Sequence, residues 1–331
     1  MRESRRTGSA TPARRRTDDG RARRRRGDGR PRVGGRPRVV VAVVTALVLA
    51  AGGTLAGCDA SGGSSADGAA GRSAPAPRPT PAWDPAPDSV AAVGDSITRG
   101  FDACAVLTDC PEASWATGTD GEVRSLAQRL LGAPGAAGRS WNEAATGAKM
   151  ADLPAQMTRA ARHDPGLVTV MVGSNDACRD SAARMTSVAA FRTAFEASMD
   201  RLRARAPHAQ VYVSSVPDLK RLWSTGRGDP LGRQIWKLGI CATMLGDAQD
   251  VSAKASARRS MVYDRIVAYN GVLRDVCAKD PLCRYDGGAV FDFRFTVEQL
   301  SHWDWFHPSK DGQSRLAAIA YRNVTAARPP A

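Results

Sequence analysis

The sequence predicts an α/β protein: a single three-layer α/β/α domain around a central, mostly parallel sheet of about five strands. Two observations carry that prediction. Short β-prone apolar runs alternate with helical patterns through most of the chain, with no internal repeat. The best of these runs, LVTVMV at Leu167–Val172, is apolar on both faces, as a parallel strand covered by helices on either side must be. A third observation concerns position. Ser, Gly and Asn in polar turns follow these runs, where the carboxyl ends of parallel strands gather.

The N-terminal segment is read first, because it holds most of the charge. The 331-residue chain has a formal net charge of +14. Fifteen arginines against four acids within Met1–Cys58 account for +11 of it, leaving a nearly neutral body. Such a body offers no continuous field for phosphates, so nucleic acid is not an expected partner. The arginines precede an apolar run, Val39–Ala51, too short for the roughly 20 residues of a spanning helix but suited to an export signal. Leu55-Ala56-Gly57-Cys58 follows at once and resembles a bacterial lipobox. The resemblance implies that residues 1–57 are a lipoprotein signal peptide and that Cys58 becomes a lipidated N-terminus. More than one acyl chain there would hold the protein on a membrane, outside the cytoplasm. Residues 58–88 collapse to Gly, Ser, Ala and Pro and read as a disordered tether.

The folded domain is expected over 89–325, with a short tail over 326–331. Its strands are read at Ser89–Val93, Leu167–Val172, Gln210–Ser214 and Ala289–Phe293, with a weaker one near Trp141–Ala144. Helices are read at Glu122–Leu131, Met150–Arg162, Val188–Ala206, Ala253–Ala278 with a break, and from Ser309 to about Asn323. Residues Leu219–Ser252 form a long insertion carrying Trp223, Ile235, Trp236, Leu238 and Met244. It is either an apolar wall or lid, or a loop packing a small core of its own. Six cysteines besides Cys58 form an even set, as expected in an oxidising compartment. Spacing favours Cys104–Cys110 and Cys277–Cys283 as small loops, which leaves Cys178–Cys241. There is no C-x-x-C and no H-E-x-x-H, so neither a metal nor a cofactor is expected. The expected state is a monomer.

Four short motifs carry chemistry. Gly94-Asp95-Ser96 follows the first strand, which leaves the Ser96 hydroxyl exposed in a turn and its N–H free to donate. Gly147 ends NEAATG, where a backbone N–H can approach a substrate closely. Asn175, in GSND after the third strand, can turn its amide toward the neighbouring strand. Asp304 and His307, three apart in DWFH, let a carboxylate accept Nδ1–H and leave Nε2 to take a proton. Of the other histidines, His163 and His208 read as solvated helix ends, and His302 lacks an acid three residues ahead.

Each motif has a bland reading alone: a helix cap, a turn, an Asx-turn, a surface histidine. In this order, however, the set resembles the SGNH/GDSL hydrolase superfamily, whose blocks contribute Ser, Gly, Asn and His. Ser114-Trp115 and Asn175-Asp176-Ala177-Cys178 are similar to a phospholipase-B-like branch of it. The resemblance implies a flavodoxin-like fold and a serine esterase or lipase with Ser96 as nucleophile, His307 as base and Asp304 as orienter. Ser96, Gly147 and Asn175 would form the oxyanion hole. The implied substrate is an ester of a lipid or an acylated sugar. The G-x-S-x-G elbow of the α/β-hydrolases is absent. The competing readings are a surface lipoprotein that keeps the fold as a binding module, and an envelope acyltransferase or deacetylase.

Overall fold

The computed structural model describes residues 82–330. The expected signal peptide, Cys58 and the tether up to residue 81 lie outside the described residues. Five strands form one sheet: β1 (Val90–Gly94), β2 (Ser140–Asn142), β3 (Leu167–Met171), β4 (Gln210–Val213) and β5 (Cys283–Tyr285). Every pairing is parallel, and the order is β2-β1-β3-β4-β5. The strand order therefore reverses between β1 and β3, which opens a crevice at their carboxyl ends.

The layers follow from side-chain alternation along β1, which is buried throughout. Val90 and Ala92 face a core shared with Leu126 of α1 (Leu126–Gly138) and Leu316 of α10 (Lys310–Thr325). Ala91 and Val93 face the opposite core. There they meet Leu153 and Met157 of α2 (Leu153–Ala160), Phe195 of α4 (Val188–Arg205) and Ile266 of α8 (Ala253–Cys277). Serines start four of these helices. Ser125, Ser187, Ser252 and Ser309 each accept the N–H three residues on, which satisfies a donor the helix leaves free. No helix among the described residues is long and apolar enough to cross a membrane.

Several elements differ from the sequence reading. Ala289–Phe293 is not the fifth strand; Ala289–Asp292 is a helical turn, α9, and β5 lies earlier. The buried Asp286 carboxylate accepts the N–H of Gly288 and of Val290 and the Ser215 hydroxyl, which winds the chain up just after β5. Gly287 and Gly288 supply the positive φ that this turn needs. The break expected in α8 is absent. Asn270, in its C-terminal third, clamps both the N–H and the C=O of Val216, and the helix runs on. Helix α1 starts later than expected and carries a kink at Gly132, just ahead of Pro134. Residues 83–88, read as the end of the tether, are docked: Trp83 Nε1 donates to the Val324 carbonyl and the Arg284 guanidinium lies over its ring.

The insertion forms α5 (Leu219–Gly226), α6 (Pro230–Trp236) and α7 (Ala242–Leu245), with the four-residue α3 (Ser174–Ala177) preceding it at the end of β3. Its buried side chains Leu222, Trp236, Met244 and Leu245 join the core that Ala91 and Val93 face, rather than packing a small core of their own. Arg259 of α8, buried and donating to the carbonyls of Met244, Gly246, Asp247 and Asp250, lies over Trp223 and ties the segment down. Disulfides join Cys104 to Cys110, Cys178 to Cys241 and Cys277 to Cys283. The second pins α7 to the end of α3.

Candidate active site

Ser96 sits in the turn that leaves β1, and close packing dictates the shape of that turn. Gly94 has φ +153°, and a Cβ there would come within 2.2 Å of the Met171 carbonyl oxygen. The Gln156 side chain closes a two-way amide clamp on the same residue: it accepts the Gly94 N–H at 2.7 Å and donates to its carbonyl at 2.9 Å. From the other layer, Gln313 of α10 donates to the Ile97 carbonyl at 2.8 Å. The turn carrying the hydroxyl is thus held from both faces of the sheet. Neither the Ser96 nor the Gly147 N–H has an acceptor among the described residues.

His307 arrives from a turn 211 residues away and places Nε2 2.8 Å from Ser96 Oγ. Its Nδ1 lies 2.5 Å from Asp304 Oδ2. The other oxygen of Asp304, Oδ1, accepts the N–H of Phe306 at 2.8 Å and of His307 at 2.9 Å, so the carboxylate is fixed by its own turn. Trp305 takes φ +51° to close that turn. The ends of the turn are stapled by the Ser301 N–H to the His307 carbonyl at 2.7 Å. Phe101 and Phe306 pack edge-on against the imidazole, each 5.0 Å from it by ring centroid. Trp236 of the insertion donates its indole N–H to the Asp304 carbonyl at 2.9 Å.

Burial works to raise the Asp304 pKa. The hydrogen bond and charge of His307, with the two backbone N–H groups, outweigh it and hold the carboxyl below its ordinary value. Asp95 shows the opposite balance. Buried beside Ser96, with one oxygen on the Ile97 N–H and the other without a partner among the described residues, it is pushed up to about 7 by desolvation.

Asn175 follows β3 and gives one amide N–H to the Ala148 carbonyl at 3.0 Å, next to Gly147. Gly147 is exposed with φ +81°, and nothing stands within 4 Å of where a Cβ would be. The structure thus joins Ser96, His307 and Asp304 by hydrogen bonds, and brings Asn175 against the loop that carries Gly147. His163 is not the solvated helix end read from sequence: it stacks on Trp141 and bonds Glu143 at 3.0 Å.

Among the described residues, two clusters have donor sets that could hold a metal: Asp102, Asp304 and His307, and Cys104, Cys110 and Glu112. In the first, both ring nitrogens of His307 are already engaged, by Ser96 and Asp304. In the second, the two thiols are joined as a disulfide. A wide groove of about 780 Å³ lies elsewhere, lined by Asn270, Arg274, Tyr285 and Phe291, and none of the five residues above lines it. Gln156 and Gln313 escaped the sequence reading, and Trp236 is read there only as an apolar residue of the insertion. The first two had a visible signal: each is a polar residue on an apolar helical stripe, Leu153-Gln156-Met157-Ala160 and Gln313-Leu316-Ala317-Ala320.

The family model described as GDSL-like lipase/acylhydrolase matches residues 92–315, more than half of the chain. Among solved structures, the chain is similar to an extracellular lipase from Streptomyces rimosus. The identity is 18%, over 72% of this chain and 99% of that one, with a TM-score of 0.40. It is similar to phospholipase A1 from Streptomyces albidoflavus NA297 at 19% identity, over 73% of this chain and 100% of that one, with a TM-score of 0.41. A Clostridium thermocellum family 3 carbohydrate esterase matches at 16% identity, over 71% and 93%, with a TM-score of 0.42. No curated protein matches the chain.

Proposed function

The chain belongs to the GDSL-like lipase/acylhydrolase family, and from that premise we propose that it is an exported serine ester hydrolase working through Ser96, His307 and Asp304. The observation that carries this reading is the unbroken chain of hydrogen bonds from the Ser96 hydroxyl through the imidazole to a buried carboxylate.

In this reading Nε2 of His307 takes the Ser96 proton as Oγ attacks an ester carbonyl, and the acyl group passes to the serine. Asp304 keeps the other ring nitrogen protonated and stabilises the imidazolium that forms. The imidazolium then gives its proton to the leaving alcohol. Water, deprotonated by the same ring, releases the acid. The oxyanion is held by the N–H groups of Ser96 and Gly147 and by the second amide hydrogen of Asn175. Each such donor is worth about 3–4 kcal/mol where charge develops.

Six cysteines joined in three disulfides support an oxidising compartment. In this reading the enzyme works outside the cytoplasm, tethered by a lipid on Cys58. The substrate class is an ester of a lipid or an acylated sugar. The test is Ser96→Ala assayed on a 4-nitrophenyl ester and with a fluorophosphonate probe. Hydrolysis should fall by about 10⁶-fold and labelling should vanish, while thermal unfolding stays near that of the parent. Turnover or labelling retained in the variant sinks the assignment.

A further inference from the structure

A second buried carboxyl stands behind the relay, and the reaction as described makes no use of it. Asp102 is 2% exposed, as is Asp304. One of its oxygens lies within 4.8 Å of both a carboxylate oxygen of Asp304 and a ring nitrogen of His307.

The chain invests heavily in putting Asp102 there. Its backbone takes φ +57°, a left-handed conformation that Asp and Asn tolerate better than other side chains. Its Oδ1 accepts the Leu107 N–H at 2.5 Å, and its own N–H bonds the Thr108 carbonyl at 3.0 Å. The Cys104–Cys110 disulfide closes that loop. The Ser301 hydroxyl, from the turn that carries Asp304 and His307, donates to the Asp102 carbonyl at 2.7 Å. The loop after Ser96 and the turn holding His307 are therefore locked together at this residue.

Two carboxyls this close and this dry cannot both ionise freely. The charged groups that face Asp102 are Asp304 and His307, and the first dominates. Burial comes first and the neighbouring Asp304 second in pushing Asp102 up to about 6, while Asp304 itself is held low. Below that pH Asp102 is neutral and Asp304 carries the negative charge of the pair. Above it a second negative charge stands behind the imidazole.

We propose that Asp102 is a positioning residue of the relay, sharing a proton with Asp304 and thereby setting the basicity of His307. This role rests on the assignment of Ser96, His307 and Asp304 above. When Asp102 is neutral it draws on Asp304 and weakens the hold on the imidazolium; when ionised it strengthens it. The relay thus has four members, and the outermost tunes it around mildly acidic pH.

Asp102→Asn is the test, because Asn is isosteric, accepts the same φ, keeps the Leu107 bond and stays neutral at every pH. With a 4-nitrophenyl ester, the acidic limb of kcat/KM should move toward lower pH by up to about one unit, since the imidazole has lost a neighbouring charge. The plateau kcat should fall about three- to tenfold with KM unchanged. The downfield Nδ1 proton resonance of His307 should respond to Asp102 ionisation in the parent and lack that response in the variant. A pH profile overlaying the parent's, or an Nδ1 resonance that titrates as before, overturns the role. Fluorophosphonate labelling of Ser96→Ala in parallel separates the two levels. If that variant still labels, the relay itself is wrong. If it does not and Asp102→Asn is unaltered, only the fourth member is.

Discussion

Replacing Asp304 by Asn separates the shape of the relay from its charge. Oδ1 of Asp304 already accepts two backbone N–H groups, from Phe306 and His307. An amide at this position must keep its carbonyl oxygen there, so its NH₂ is forced onto the site of Oδ2, 2.5 Å from His307 Nδ1. Two donors cannot face each other, and the imidazole answers by moving its proton to Nε2. That nitrogen then donates to Ser96 Oγ instead of accepting from it, and the base is lost although every heavy atom stays in place. A wrong-tautomer substitution of this kind costs about 10³–10⁴ in kcat, or about 4–5.5 kcal/mol.

The fold should lose far less. The Asn retains all three contacts, so the net cost at neutral pH is about 1 kcal/mol, a fall of about 2–4 °C in Tm for a domain of this size. The Asp304 pKa is depressed in the folded state, so its contribution is present above the ordinary carboxylate pKa and disappears as pH drops through the lowered value. Parent and variant should therefore converge in stability in acid. Initial rates on 4-nitrophenyl acetate against pH, with melting followed by circular dichroism, read both effects. A variant within about tenfold of parent activity would refute the tautomer argument.

Two further outcomes follow from neighbouring contacts. Trp236→Phe leaves the Asp304 carbonyl without its donor in a buried place, so Tm should fall by about 3–10 °C, and an unchanged melting curve would show that the insertion does not brace the turn. Asp95 has a raised folded pKa of about 7, so the folded state binds its proton more tightly and stability declines as pH climbs from the ordinary carboxylate value toward it. Asp95→Asn should flatten that decline by up to a few kcal/mol, measured as the difference in unfolding free energy between about pH 5 and pH 8; equal slopes in parent and variant would contradict the assignment.

What could be read from the chain beforehand divides along the range of the interactions. Strands β1, β3 and β4 were plain because each is a short apolar run buried on both faces, and burial is the signal a composition pattern carries. Strand β5 gave no such signal. Its middle residue is Arg284, whose guanidinium reaches the Asn323 and Ala326 carbonyls and covers Trp83, so it is buried without looking apolar. The apolar run after it, AVFDF, looked like the better strand, but Asp286 and the Gly287-Gly288 pair had already committed that stretch to a helical turn. Local pattern lost there to one buried carboxylate whose third partner, Ser215, comes from a different strand end.

The site obeys the same division. Within DWFH the sequence encodes the Asp304–His307 pairing outright, because a bond across three residues is a property of one turn. Bringing that turn to Ser96 is a property of the sheet, and only the reversal of strand order between β1 and β3 opens the crevice where Ser96 and Asn175 sit. The residues that hold the geometry once it is made, namely Gln156, Gln313, Trp236 and Asp102, act through partners 62, 216, 68 and 199 positions away. Trp236 and Asp102 spell nothing of this locally. A buried glutamine on an apolar stripe does carry a readable oddity, since a helix has no reason to turn a polar amide inward unless something there must be clamped. In this chain both such glutamines close on the residues flanking Ser96, Gly94 on one side and Ile97 on the other. The rigidity of the serine turn was therefore written in the sequence, but in helices that lie far from it along the chain.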